Sequence, residues 1–303
     1  MEETKLIWLD GRLADWAEAR VHVLTHTLHY GLGVFEGIRC YETAGGPAVF
    51  RLPEHVRRLF DSAKIAGITI PYTPQQVSDA IRETIKANGM RTCYIRRLAF
   101  LGYGVMGLNH TGAPVSLAIA VWPWGAYLGA EGLTRGIRVK IASFTAHHAN
   151  VTMTKAKICG NYATAQLAKM EAVAAGYDEA VLLDAQGNVT QGSGENIFLV
   201  RHGAVKTPPI TAVLEGITRD SVLTLARERG VPVVEEVFTR DELYIADEAF
   251  FTGTAAEVTP IREVDRRAIG SGIVGPVTAR LQQAFFDVVQ GKDAAHREWL
   301  TLV

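Results

Sequence analysis

The sequence is short of everything that would mark a secreted, membrane-spanning or polyanion-binding protein. It has three cysteines (Cys40, Cys93 and Cys159), an odd number with no C-x-x-C spacing, so neither a disulfide framework nor a zinc ribbon is indicated. Its formal net charge is -1. That balance argues against nucleic acid as a partner, because phosphate-backbone binding needs clustered Lys and Arg. No apolar run approaches the ~20 residues that cross a bilayer. The longest candidate, residues 115–130, is broken by Pro123, Gly125 and Gly129. The opening Met-Glu-Glu-Thr-Lys lacks the basic-then-apolar profile of a secretion signal. The Asn-x-Thr matches at Asn109, Asn150 and Asn188 are therefore expected to be silent in a reducing cytoplasm.

What is present is ordinary folded-protein composition, 48% hydrophobic and 21% charged over 303 residues, enough for two domains. Asp10-Gly11 between short apolar runs reads as a hairpin turn. Val56, Leu59, Phe60 and Ala63 recur at helical spacing after Pro53. Thr73-Pro74 and Asn88-Gly89 bracket a second helix. Residues 93–101 and 115–121 read as strands. The Trp-Pro-Trp-Gly-Ala-Tyr-Leu-Gly stretch from Trp122 breaks the periodicity and reads as a connector. Beyond it, a strand at 137–142, a helix at 161–175 and a hairpin pairing 180–183 with 197–200 about Gly187 are expected. A helix at 217–229, a strand at 249–252 and a final helix at 276–289 complete the pattern. The expected division is a small α/β domain (1–121), an interdomain loop (122–131) and a large domain (132–303). Without a strict βαβ rhythm, the fold class is α+β or mixed α/β, not a Rossmann sheet.

Two glycine loops match G-x-G-x-x-G. The first, Gly102 to Gly107, opens no helix and has no acidic residue about 20 positions on, both of which a dinucleotide site needs. The second, Gly270 to Gly275, precedes a helix, but the chain ends before a further strand could complete the unit. His22, His26 and His29 have helical spacing, yet no carboxylate or thiol falls at a complementary position, so no metal is expected.

The chemistry is concentrated in Lys155-Ala-Lys157-Ile-Cys-Gly160-Asn161-Tyr162. A lysine beside a small-residue turn and a helix start is a candidate imine-forming nucleophile. On a strand both lysines would face the same side, so spacing alone leaves Lys155 and Lys157 open.

With Tyr-Gly-x-x-x-Phe-Glu-Gly-Ile-Arg at Tyr30–Arg39, Gly-Ile-Thr-Arg-Asp at 216–220 and Gly-Thr-Ala-Ala-Glu at 253–257, the stretch resembles the branched-chain aminotransferases. These are two-domain, fold-type IV pyridoxal-phosphate enzymes with the D-amino acid aminotransferase-like fold. The resemblance runs from Trp8-Leu-Asp-Gly to Gln282-Gln-Ala-Phe-Phe. It implies transfer of the amino group of L-leucine, L-isoleucine or L-valine to 2-oxoglutarate, giving branched 2-oxo acids and L-glutamate. By motif position it makes Lys157 the cofactor-carrying, catalytic lysine. It implies Tyr162 on the cofactor's phenolic oxygen, and Arg58, Ile217, Thr218 and Thr254 around its phosphate, with Arg57 a solvated neighbour. It implies Tyr30, Phe35 and Tyr127 as the aromatic wall for an aliphatic side chain, and Tyr94, Arg39, Ala255 and Ala256 at the α-carboxylate. Arg96 would receive the distal carboxylate of 2-oxoglutarate. Met106 and Leu108 would reach a neighbouring subunit's pocket, which implies a homodimer. One position departs from the family pattern. Where that pattern has a glutamate against the pyridine nitrogen, this chain has Gln191, a neutral amide without counter-charge. Fold relatives, namely D-amino acid aminotransferases, (R)-amine transaminases and aminodeoxychorismate lyase, are the alternatives, together with a weakly catalytic cofactor-binding protein on account of Gln191.

Overall fold

A computed structural model describes residues 2–211 and 213–303. They form two compact units. One comprises residues 2–124, Ala156–Asn161 and Val288–Val303, and the other Gly125–Lys155 and Tyr162–Asp287. This differs from the linear boundaries expected from sequence, because two later segments return to the first unit. Phe35 N–H donates to the Lys157 carbonyl (3.0 Å) and Val34 bridges Ile158, stitching 156–161 onto a strand. Leu300–Leu302 pairs antiparallel with Gly46–Phe50, which draws in the C-terminus. Such long-range pairings leave no local sequence signal.

The first unit is built on a sheet with seven strands among the described residues. In spatial order they are Leu300–Leu302, Gly46–Phe50, Gly33–Thr43, Cys93–Leu101, Val115–Trp122, Leu6–Leu9 and Arg12–Asp15. All neighbours are antiparallel. The Leu9↔Arg12 register leaves Asp10 and Gly11 as a two-residue turn, with φ of 47° and 94°. Positive φ at both positions suits the strand twist and is cheap for Asp-Gly. Helices Leu52–Ile65 and Pro74–Ala87 cover one face. The first buries Val56, Leu59 and Ala63 as its spacing predicts. The second opens on a reciprocal capping box, Gln76 N–H to Thr73 Oγ1 at 3.2 Å and Thr73 N–H to Gln76 Oε1 at 2.8 Å. Leu59, Ile81, Ile95 and Ile119 are fully buried in the core beneath, each contributing roughly 2 kcal/mol.

The second unit holds a mixed sheet of nine strands among the described residues. Six of them close on themselves in the order Asn196–Arg201, Glu248–Gly253, Glu257–Val264, Ile137–Thr145, Glu179–Leu183 and Val189–Gly192, with Gln191 pairing Asn196 to complete the ring. Closure removes exposed edges. Val139, Val181, Ile197, Leu199, Phe251 and Ile261 share its buried cluster. The hairpin about Gly187 therefore joins 179–183 to 189–192, not to 197–200. The intervening strand is Val-Thr-Gln-Gly, too short and too weakly alternating to read from sequence. Helices Tyr162–Ala174, Ile217–Glu228 and Pro276–Val289 fall where the sequence places them, and two short helices, Ala130–Arg135 and Arg240–Tyr244, are additional. Among the described residues, no helix is long and apolar enough to cross a membrane.

Candidate active site

The residues singled out by sequence fall on both units. In the first, strand Gly33–Thr43 aligns with Cys93–Leu101 so that Phe35, Gly37 and Arg39 oppose Leu98, Arg96 and Tyr94. Alternation puts these six on one face. Gly37 lacks a side chain because a Cβ there would overlap the Tyr94 hydroxyl. The Arg96 guanidinium lies 4.7 Å from the Phe35 ring centre and donates to Tyr94 Oη at 3.3 Å. Arg39 donates to the Trp124 carbonyl at 2.8 Å, and Tyr94 packs edge-on against Trp124. The result is an aromatic wall carrying cations.

Lys157 joins this face. Its N–H donates to Ser62 Oγ (3.0 Å), its carbonyl accepts from Phe35, and its amine lies 4.8 Å from the Phe35 ring centre. Three residues on, the chain must pass Gly31. Gly160 N–H bonds the Gly31 carbonyl at 2.9 Å, and a Cβ on Gly160 would lie 3.3 Å from that carbonyl oxygen. That close approach accounts for glycine in Lys-x-x-Gly-Asn-Tyr. Lys155 belongs to the other unit, where its amine bonds the Ile210 carbonyl and pairs with Glu215 at 3.0 Å. The structure thus separates two lysines that spacing could not.

Arg58 is held by Glu36, whose side chain leaves the opposite face of the Phe35 strand. Its Nε and Nη2 donate to Glu36 Oε1 and Oε2 at 2.5 and 3.0 Å. His55 Nδ1 shares Oε2 at 2.7 Å, and Arg97 Nη2 lies 3.4 Å from it. Glu36 and Arg97 are wholly buried. Burial pushes the Glu36 carboxyl up, but Arg58 and then His55 outweigh it and hold it well below the usual carboxylate range. Burial drives the His55 imidazole down to about 4 against the pull of Glu36, so it is neutral at pH 7. Arg57 is a solvated helix-face residue, paired at 3.8 Å with exposed Asp61. Sequence reasoning quoted Glu36 without a role and missed His55 and Arg97. A signal was present, since Arg97 shares the core-facing parity of Cys93, Ile95, Ala99 and Leu101.

Tyr30, Met106 and Leu108 form a different group, exposed at helix His26–Tyr30 and the loop at 102–114. Gly107 N–H donates to Tyr30 Oη (3.1 Å), and its carbonyl bonds His26 Nε2 (2.8 Å). His29 Nε2 bonds the Val23 carbonyl, and His22 Nδ1 accepts from Leu24. These histidines are committed to backbone. Among the described residues, no three His, Cys, Asp or Glu are placed to hold a metal.

In the second unit the groups are mostly main chain. Tyr162 opens helix Tyr162–Ala174. Ile217 and Thr218, both buried, open helix Ile217–Glu228, whose N-cap Gly216 offers no side-chain cap, leaving its first N–H groups for an outside acceptor. Gly216 is required, because a Cβ would overlap Asn196 Oδ1, and Asn196 Nδ2 anchors the preceding loop at the Leu214 carbonyl (3.2 Å). Arg219 is turned to the Pro208 carbonyl and Glu235. Thr254, Ala255 and Ala256 are the loop of the hairpin closed by Gly253 and Glu257. Glu257, which closes the loop, takes a positive φ of 55°. Gln191 is half-buried opposite Asn196. Tyr127 is half-exposed, its ring 5.5 Å from the Lys169 amine. The second glycine loop carries no phosphate site: Glu248 fills the space at Gly275 and accepts from Val277 and Thr278 N–H at 3.0 and 2.6 Å.

In the first unit, an amine on an aromatic face and an arginine fixed by a carboxylate are groups that suit an anionic aldehyde; the second unit, taken by itself, offers an uncapped helix start that suits an anion. Residues 33–264 match the amino-transferase class IV family, and the chain belongs to it. It is 55% identical, over 98% of its own length and 97% of the relative's, to the branched-chain-amino-acid aminotransferase of Pseudomonas aeruginosa. Among solved structures, the Escherichia coli branched-chain amino acid aminotransferase is 45% identical, with a TM-score of 0.97 and coverage of 99% of both chains. A second bacterial branched-chain amino acid aminotransferase, from T.th., solved with pyridoxamine 5'-phosphate, is 49% identical, with a TM-score of 0.97 and coverage of 100% of this chain and 99% of that one.

Proposed function

We propose that the chain is a pyridoxal-phosphate-dependent transaminase that moves the amino group of L-leucine, L-isoleucine or L-valine to 2-oxoglutarate in two half-reactions. The observation that carries this is the placement of Lys157, stitched by both backbone groups beside Phe35 and Arg96. When bound, pyridoxal phosphate supplies an aldehyde for amines and a ring that withdraws electrons from the substrate's Cα. Lys157 would carry the cofactor between turnovers; its amine, once free, would take the proton from the substrate's Cα as base and deliver it, as acid, to the carbon of the cofactor's aldehyde. Arg58, the N–H groups of Ile217 and Thr218 and the Thr254 hydroxyl would grip the phosphate. Tyr162 would hold the phenolic oxygen and Gln191 the ring nitrogen.

Phe35, Tyr30 and Tyr127 would line the side-chain pocket, and Tyr94, Arg39, Ala255 and Ala256 the α-carboxylate end. Arg96 packed on Phe35 supports dual recognition. The aromatic face serves a branched chain, and the guanidinium serves the distal carboxylate of 2-oxoglutarate in the second half-reaction. The exposed apolar group of Leu28, Tyr30, Met106 and Leu108 supports a homodimer in which this surface is covered. Three free cysteines, two of them buried, suit a reducing cytoplasm.

An absorbance spectrum tests the reading. Adding L-leucine to purified protein converts the aldehyde form of the cofactor to the amine form, whereas D-alanine and (R)-phenylethylamine do not. Conversion by the latter pair alone would assign the chain to another branch of the family.

A further inference from the structure

Arg97 has no part in the chemistry above, yet it is the largest of the fully buried side chains. It projects from the core-facing side of strand Cys93–Leu101, between Ile95 and Ala99, with Ile119 opposite on the next strand. Its Nε and Nη1 have no hydrogen-bond partner, and its one polar contact is the 3.4 Å approach to Glu36. An arginine buried with donors unmade is costly and needs compensation from charge.

The charged and titratable groups around it are few. Strand Gly33–Thr43 contributes Glu36, helix Leu52–Ile65 contributes His55 and Arg58, and its own strand contributes Tyr94 and Arg96. Within the buried cluster there is one carboxylate for two guanidiniums, because His55 is neutral. Without Arg97, Glu36 and Arg58 would be a closed, neutral pair. With it, the carboxylate is shared, and these three side chains together hold two cations and one anion; Arg58 is the one of them that is not wholly buried.

We infer that Arg97 is a positioning residue: by sharing Glu36 it fixes that carboxylate between two guanidiniums, so that the Glu36–Arg58–Arg97 group, with two cations to one anion, presents a net positive charge to the cofactor's phosphate. This rests on the reading of Arg58 as the phosphate-holding arginine. Arg97 touches neither substrate nor cofactor and acts through Glu36.

The test uses purified holoenzyme and the rate at which it sheds cofactor into buffer containing inorganic phosphate as competitor, read by the cofactor's absorbance. Arg97→Met, which fits an apolar core, sheds cofactor about tenfold faster, on the scale of one charge-assisted contact. Arg97→Lys restores most of the retention. In Arg97→Met the His55 imidazole, followed by NMR, titrates at higher pH than in the parent, because a neighbouring cation is gone. If Arg97→Met retains cofactor like the parent while Arg58→Gln sheds it, the inference is wrong and the assignment of Arg58 stands. If neither variant sheds it faster, both are wrong. Should Arg97→Met fail to fold, Arg97→Gln takes its place: if it keeps cofactor as the parent does, the charge account is overturned.

Discussion

In the unit built on the antiparallel sheet, the candidate site groups are charged side chains, Lys157, Arg58, Arg39 and Arg96, and the first two are fixed by buried or backbone partners. In the unit built on the closed sheet they are helix-start N–H groups, a hairpin loop and a neutral amide, positioned by glycines and Asn196. The first solution concentrates charge and its desolvation cost in a core. The second uses fixed dipoles that do not titrate. Sensitivity to pH and to charge-changing mutation should therefore reside in the first unit, and sensitivity to added volume in the second.

The largest expected effect is at Glu36. Glu36→Gln leaves two guanidiniums in a core with no carboxylate and should cost about 3–5 kcal/mol, measured by urea unfolding. A loss under about 1 kcal/mol, the scale of an exposed pair, would erase the contrast. The counterpart is Gly216→Ala, whose Cβ displaces Asn196 Oδ1 and should cost about 1–3 kcal/mol. It should also release residues 213–216 in hydrogen exchange while the sheet holding Glu36 stays protected.

Acid sharpens the comparison. His55 binds a proton at about pH 4 when folded and near its ordinary 6.5 when unfolded, so stability falls as pH drops from 6.5 toward 4. Glu36, held below the usual range, contributes stability present above pH 4.5 and lost only at lower pH. In the other unit, Lys140 and Ser143 lower Glu171 to about 2, so its contribution is likewise lost only below pH 4.5. Hydrogen exchange between pH 6.5 and 4.5 should thus loosen strands 33–43 and 93–101 before the closed sheet. The smallest effect is expected from giving the second unit a charge. Gln191→Glu supplies a counter-charge to the ring nitrogen and should speed the L-leucine half-reaction by about tenfold or less. No gain in stopped-flow rate would count against a cost at Gln191.

How much of this was legible depends on the range of the interaction. Asp10-Gly11 and Thr73-x-x-Gln76 announced their turn and cap because the demand is met by the same few residues. Strand Gly33–Thr43 was visible only as a motif, since it is buried on both faces at its start and shows no alternation. The return of 156–161 and 288–303 to the first unit depends on partners far away in sequence, whereas strand Val189–Gly192 pairs with near neighbours but is too short to show a pattern. At the site, motif order pointed to Lys157, but only the partners of Lys155 give a physical reason to set it aside. Glu36 stands inside the Tyr30–Arg39 motif, but nothing local names its role, because its partners His55, Arg58 and Arg97 lie on other elements.

The central claim is that one amine, that of Lys157, forms the bond to the cofactor. Borohydride reduction of the purified enzyme followed by peptide mapping tests it directly. The account predicts a single phosphopyridoxyl label on Lys157; a label on Lys155, on any other residue or on none contradicts it.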